Sequence, residues 1–240
     1  MSSFCLKGQN TETITPKFLI DGYFFKTKPE ALPQEFETAF PPLKDKDGNK
    51  VSCIRYLNGA KLSDWSKERA IPLNQVKNGK ELLELAKNAK YMRTKITSTP
   101  AITTGENFPL FSEKDINGNI IDSNQVKGKY FLINFWYIGC GPCIKEMPGL
   151  SKWKDKYPHI LFMSATYNKA EEAQPIIEKQ RFNYTHLVEI SDNLLNLVGS
   201  SGYPLTVIVD NTGKVIQVES GTSPKQLYDI EQTLNSIPGK

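Results

Sequence analysis

Apolar and polar residues alternate in short blocks through the second half of the chain, and the blocks predict an order of elements. Residues 131–136 form a nearly unbroken apolar run that reads as a buried strand. A helical pattern follows over 141–156, and residues 160–165 are again strand-like. Ahead of them, Asn117-Gly118 lies between Asp115-Ile116 and the apolar pair Ile120-Ile121, which predicts a hairpin with a type I′ turn. Beyond come a helical stretch at 170–181, a short strand at 185–190, a helical segment at 192–198 and a strand at 205–210. Asn211-Thr212-Gly213 turns the chain into a strand at 214–219, and Ser223-Pro224 opens a last helix to about Ile237. Strand–helix alternation closed by a hairpin and a helix predicts a mixed α/β sandwich.

The first half reads differently. Residues 18–25 and 51–57 look like strands, and Asp45-Lys46-Asp47-Gly48 looks like a turn leading into the second. Asn78 followed by Glu81 resembles a capping box opening a helix to about Arg93. Its Leu82, Leu85, Ala86 and Ala89 share one face, the stripe that core packing requires. Between the halves, residues 97–107 are rich in Thr, Ser and Pro and lack apolar periodicity. The expected organisation is therefore an α+β region of unassigned role over 1–96, a linker over 97–107 and an α/β domain over 108–240. No repeat, low-complexity tract or catalytic constellation marks the first region, which leaves recruitment or dimerisation as its reading.

Composition narrows the classes. A chain of 240 residues with 39% hydrophobic and 23% charged content is an ordinary globular one. The net charge of +4 comes from scattered lysines, without basic runs or aromatic-basic interleaving, so nucleic acid is not an expected partner. No stretch approaches the roughly 20 apolar residues of a membrane span. The first ten residues, MSSFCLKGQN, have no signal-peptide core. Either the protein is cytoplasmic or an export signal has been removed. Only a lost lipid anchor would tie it to a membrane, and Ser2-Ser3-Phe4 before Cys5 is no lipobox. Cys5 and Cys53 fit a disulfide in an oxidising compartment or two thiols in a reducing one.

The chemistry concentrates where strand passes into helix, at Cys140-Gly141-Pro142-Cys143. The first sulfur stands at a helix N-terminus, where unpaired N–H groups and the helix dipole favour an anion. A thiol there loses its proton more easily, and the thiolate is what attacks disulfides. The second cysteine, one turn inside, is placed to attack the mixed disulfide that results. Such a pair is also half of a zinc site, but Cys5, Cys53, His159 and His186 do not complete a ligand set. An inert structural pair is the remaining alternative. No metal and no external cofactor are expected.

With these elements in order, residues 105–237 resemble a thioredoxin-fold domain, specifically the TlpA-like thiol–disulfide oxidoreductases that bacteria export. Gly105-Glu106-Asn107-Phe108-Pro109 looks like the family's opening segment, and Asn134-Phe135-Trp136 stands before the cysteines as the family's NFW does. Pro148, five residues after Cys143, matches the proline of the active-site helix. Tyr203-Pro204 falls where the fold keeps a cis-proline facing the disulfide. Residue for residue, the resemblance implies Cys140 as attacking thiol and Cys143 as resolving thiol. It also implies a substrate surface made by Tyr203, Pro204, Gly141, Pro142 and Trp136. Tyr137 is, with Trp136, a candidate for apolar contact surface beside the cysteines; Trp136 reads equally well as core, and without the resemblance Pro204 would be read as trans.

Two departures matter. Gly139 replaces the tryptophan that commonly precedes the first cysteine, which implies a more open sulfur. Asn134 replaces the buried aspartate of thioredoxin and has no proton to exchange; TlpA-like members instead resemble this chain at Glu146, three residues after Cys143. Buried, Glu146 would be a proton-transfer group; exposed, it would be an ordinary glutamate beside Lys145 or Lys152. Gly-Pro between the cysteines is the thioredoxin pairing, which implies a reductase of protein disulfides, or an electron relay to one, supplied by an upstream thiol reductant. Resemblance to exported proteins implies the bacterial cell envelope, periplasmic or anchored facing the periplasm, if an export signal has been removed. A peroxiredoxin-like peroxidase shares the fold but lacks its PxxxTxxC context here, and a binding module with a vestigial CxxC is the third reading.

Overall fold

The computed structural model describes residues 13–239, and the chain divides between Ile96 and Thr97 into two units. The first unit carries strands β1 (Phe18–Ile20), β2 (Tyr23–Phe25), β3 (Glu35–Ala39), β4 (Leu43–Lys44), β5 (Lys50–Tyr56) and β6 (Tyr91–Lys95), with helices α1 (Asp64–Glu68) and α2 (Gly79–Asn88). The strands run in the order β2-β1-β5-β3-β6, with β4 paired to β5. Only β1 and β5 are parallel. Leu82 and Ala86 of α2 share a core with Leu19, Val51 and Cys53. Ile20, Phe36 and Ile54 belong to a second apolar cluster.

This unit departs from several expectations. Residues 18–25 are two strands, because Asp21 and Gly22 take φ of 46° and 86° and close a two-residue hairpin. The α2 helix stops at Asn88, where Ala89 is extended, and Arg93 belongs to a strand. No capping box forms: Asn78 is left-handed and its amide donates to Asp45 (2.9 Å) and Asp47 (2.8 Å), while Glu81 accepts from the Lys46 N–H. Leu85 is exposed rather than core. Cys53 is a buried free thiol 3.1 Å from the Tyr91 hydroxyl; Cys5 lies outside the described residues.

The second unit holds β7 (Ser112–Asp115), β8 (Ile120–Asp122), β9 (Phe131–Phe135), β10 (Leu161–Ala165), β11 (Thr185–Val188), β12 (Leu205–Val209) and β13 (Val215–Ser220). Its helices are α3 (Ser123–Val126), α4 (Gly141–Lys156), α5 (Ala170–Gln180), α6 (Asp192–Leu195) and α7 (Pro224–Ser236). The seven strands follow the order β13-β12-β9-β10-β11-β7-β8. β9, β10 and β11 are parallel, connected through α4 and α5, and β12 returns antiparallel to β9. Strand β9 is buried along its whole length and packs two cores by alternation. Leu132 lies in the core that contains Cys143, Met147 and Leu150 of α4, whereas Phe131, Ile133 and Phe135 face the opposite core. A mixed sheet covered on both faces is the thioredoxin-like sandwich expected from the sequence.

Three hairpins share one device. Asp45, Asp115 and Asp210 each receive the N–H of a glycine three residues on, at 2.9–3.0 Å, and each glycine has φ near 84–90°. Each aspartate carboxylate also accepts two backbone N–H groups of its own turn. Burial pushes each carboxyl up, but side-chain donors (Asn78 and Asn49 to Asp45, Asn119 to Asp115, Thr212 to Asp210), followed by those backbone bonds, hold its pKa below the usual carboxylate value. The turn after Asp115 therefore has positive φ at Gly118 alone, and the type I′ expectation gives way to a three-residue loop with a glycine bulge.

Residues 97–107 are not a free linker. Ile102 is 2% exposed within the second unit's core. The Ala101 N–H donates to the Leu197 carbonyl, and Gly105 N–H to that of Val215. Burying an isoleucine contributes about 1.5–3 kcal/mol, so the polar composition of this segment concealed an anchored strap.

Candidate active site

Cys140 is the N-cap residue of α4, and its Sγ accepts the Cys143 N–H at 3.2 Å. The two cysteines form a disulfide. Both are nearly enclosed, Cys140 at 3% and Cys143 at 1% exposure. The more open sulfur expected from Gly139 is therefore not found. Gly139 instead makes room for a neighbour: a Cβ built on it would stand 2.8 Å from Cε2 of Tyr137. Gly141 and Pro142, in the first turn of α4, are exposed beside the disulfide. Pro142 sits where a helix has an unpaired N–H to spare.

Glu146 lies one turn beyond Cys143 on α4 and is 9% exposed. Burial pushes its carboxyl up to about 8, against the opposing pull of a hydrogen bond from Asn134. The Asn134 side-chain N–H donates to Oε1 of Glu146 at 3.1 Å and to the Thr206 hydroxyl at 3.0 Å. Period-two geometry explains the meeting: Asn134 shares with Leu132 the face of β9 that packs on α4, and Thr206 pairs directly with it from β12. The glutamate and the thiol that would use its proton are thus on one helical face, with the carboxyl held from the sheet below.

The Tyr203–Pro204 peptide bond is cis, and Pro204 is buried. Phe40–Pro41, not anticipated, is cis as well. Trp136 does not line a substrate surface: it is 0% exposed and packs in the core with both cysteines, its indole N–H lacking a partner among the described residues. The alternation that buries Leu132 buries Trp136 too, two pairs of residues further along the same face.

Sequence reasoning missed Thr206 and Asn168. Each was detectable as a polar residue in or beside an apolar strand. Asn168 is buried, and its side-chain oxygen accepts the Ile138 N–H at 3.1 Å and the Thr166 hydroxyl at 3.1 Å. It thereby ties the loop after β10 to the loop that leads into Cys140. His186 is structural: it bridges the Ser164 hydroxyl and the Phe182 carbonyl, each at 2.8 Å. Among the described residues, no group of three or more metal-ligating side chains gathers anywhere.

Chemically, the arrangement offers a two-electron sulfur couple, one buried carboxyl able to exchange a proton near neutrality, and an exposed rim around it. The AhpC/TSA family model matches residues 104–218, inside the second unit. The thiol–disulfide oxidoreductase ResA of Geobacillus thermodenitrificans is 28% identical over 147 residues, covering 59% of this chain and 82% of that protein. The thioredoxin-like protein YneN of Bacillus subtilis is 30% identical over 138 residues, covering 56% of this chain and 80% of that one. Among solved structures, a protein of Chlorobium tepidum assigned as a thiol:disulfide interchange protein DsbE superposes with a TM-score of 0.52 at 21% identity. It covers 57% of this chain and 98% of its own. One of Bacteroides thetaiotaomicron, assigned as a protein disulfide isomerase, gives 0.54 at 19%, covering 58% and 92%. These two speak for the fold alone.

Proposed function

The chain belongs to the AhpC/TSA family of thioredoxin-fold proteins and is a thiol–disulfide oxidoreductase; on that premise we propose that it works as a reductase of protein disulfides through Cys140 and Cys143. The observation that carries the reading is the buried Glu146 one turn past the cysteine pair, with a pKa pushed up to about 8. In the reduced protein the Cys140 thiolate, favoured by the N-terminus of α4, attacks one sulfur of a substrate disulfide. A Cys140–substrate disulfide forms, and the other substrate sulfur leaves as a thiolate and takes a proton from water. Cys143 then passes its proton to the Glu146 carboxylate and attacks Sγ of Cys140. The second substrate thiolate leaves, and the Cys140–Cys143 disulfide closes. The substrate has gained the two electrons that the protein lost, and an upstream dithiol restores them while Glu146 returns the proton to Cys143. General-base help of this kind is typically worth about 10²–10⁴-fold.

Asn134 serves as a positioning residue, fixing the carboxyl by a bond that also eases its ionisation. The Tyr203 backbone, set by the buried cis Pro204, and the exposed Gly141 and Pro142 form the surface that receives an extended substrate strand. Resemblance to exported TlpA-like proteins supports action in the cell envelope; no helix among the described residues is long and apolar enough to cross a membrane.

Turnover of insulin disulfides with dithiothreitol as donor tests the reading. The native protein should exceed the donor background, Cys143→Ser should accumulate mixed disulfides through Cys140, and Cys140→Ser should trap almost none. Peroxide consumption without disulfide reduction would place the chain among peroxidases instead.

A further inference from the structure

Three tyrosines from three separate loops close a ring of contacts beside the cysteine pair. Tyr137 follows β9, Tyr167 follows β10 and Tyr203 precedes β12. Tyr137 and Tyr203 meet edge to face with centroids 5.2 Å apart, Tyr137 and Tyr167 stack at 6.1 Å, and Tyr167 and Tyr203 meet edge to face at 6.3 Å. Tyr167 is 44% exposed and the other two are half-buried. No hydroxyl of the three has a hydrogen-bond partner among the described residues. Elsewhere in this unit, the buried hydroxyls of Tyr157 and Tyr184 are bonded.

The group is built into the site. Tyr137 stands three residues before Cys140, and its ring occupies the space that any side chain at position 139 would need. Tyr203 immediately precedes the cis-proline. Asn168, next to Tyr167, holds the Ile138 N–H and so fixes the first two loops to each other. Rings whose positions are set in advance lose little freedom on binding. Tyrosine combines large apolar area with a polar tip, which is why it recurs at the energetic centres of interfaces.

We propose that Tyr137, Tyr167 and Tyr203 form a docking platform that selects substrate segments carrying an aromatic side chain next to the cysteine to be reduced. This rests on the disulfide-reductase reading above. The occupant is an extended polypeptide, because the platform is continuous with the cysteine pair and the tyrosine before Pro204. An incoming aromatic ring adds to the edge-to-face set, and the unbonded phenol hydroxyls meet the flanking peptide groups. An edge-to-face pair gains enough for about two- to tenfold in rate at subsaturating substrate.

Two peptides, identical except for Phe or Ser beside their single cysteine and each disulfide-bonded to the same small thiol, give the test. The readout is the ratio of their kcat/KM values with the full-length protein and dithiothreitol. The native protein should prefer the Phe peptide by about two- to tenfold. Tyr167→Phe, which keeps the ring, should preserve that ratio, and Tyr167→Ala should bring it close to one. Gly139→Ala, which displaces the Tyr137 ring without removing any aromatic group, should lower it part of the way. A ratio of one in the native protein, or a preference that survives Tyr167→Ala, overturns the platform while leaving the reductase reading intact. Failure to reduce either peptide removes the reductase reading and the platform with it.

Discussion

The side-chain amide of Asn134 lies 3.1 Å from Oε1 of Glu146, so a residue that cannot titrate governs one that does. The carboxyl stands on helix α4, and the strand beneath it supplies an amide donor. Burial and the Asn134 bond act on Glu146 in opposite directions, and burial wins, leaving the carboxyl at about 8.

Replacing Glu146 by Gln keeps the shape and abolishes the titration. Resolution of the mixed disulfide should slow by about 10²-fold or more near neutrality. The first attack, by Cys140, should change far less. Single-turnover rates over pH 5–9 provide the check, and superimposable profiles for native and variant protein would confine Glu146 to a structural role.

Asn134→Ala removes the donor that eases ionisation of Glu146. The apparent pKa of the resolving step should therefore move above 8 rather than below it. A hydrogen bond to a charged group nets about 1.5–3 kcal/mol, so the shift should be of order one to two pH units. An acid shift in the same pH–rate profile contradicts the assigned direction.

The same group should mark the stability of the oxidised protein. An unfolded glutamate ionises near 4.3, whereas folded Glu146 holds its proton to about 8. The folded state binds that proton more tightly. Its stabilising contribution is whole below about pH 4 and is lost as pH rises through 8, at up to about 1.4 kcal/mol per unit. Urea titrations of the native protein and Glu146→Gln should converge at acid pH and diverge as pH rises, with the native protein falling more steeply. Parallel curves would mean that the carboxyl is solvated.

Trp136→Phe separates core from contact surface. The indole is fully buried with an unpartnered N–H, so the substitution should alter stability by about 1–2 kcal/mol in either direction. KM for a disulfide peptide should stay within about twofold. A KM that rises while the unfolding midpoint holds still would return Trp136 to the substrate surface.

Much of the second unit was legible because its strands are apolar runs and its helices carry caps; Ser223 and Gln226, for instance, exchange both bonds of a capping box. Glu146 came from the family resemblance, with its spacing from Cys143 putting both on one helical face. Its tie to Asn134 was not legible, since β9 meets α4 only after the crossover folds back. Tyr137 and Tyr203 were candidates for the contact surface, but their meeting with Tyr167 was not legible for the same reason: residues 137, 167 and 203 are neighbours only in space. In the first unit, β6 is exposed at four of five positions and shows no alternation to read. Its pairing with β3 makes it a strand, a tertiary effect that propensity does not carry.

The anchored strap at residues 97–107 bears on how the chain can be cut into independently folding pieces. Composition alone would place the cut before Phe108, but a fragment beginning there forfeits Ile102 and the backbone bonds to Leu197 and Val215. A fragment starting at Thr97 carries its own lid for that part of the core. Redox measurements on the isolated unit then report the catalytic sheet itself, rather than one with its lower face stripped open.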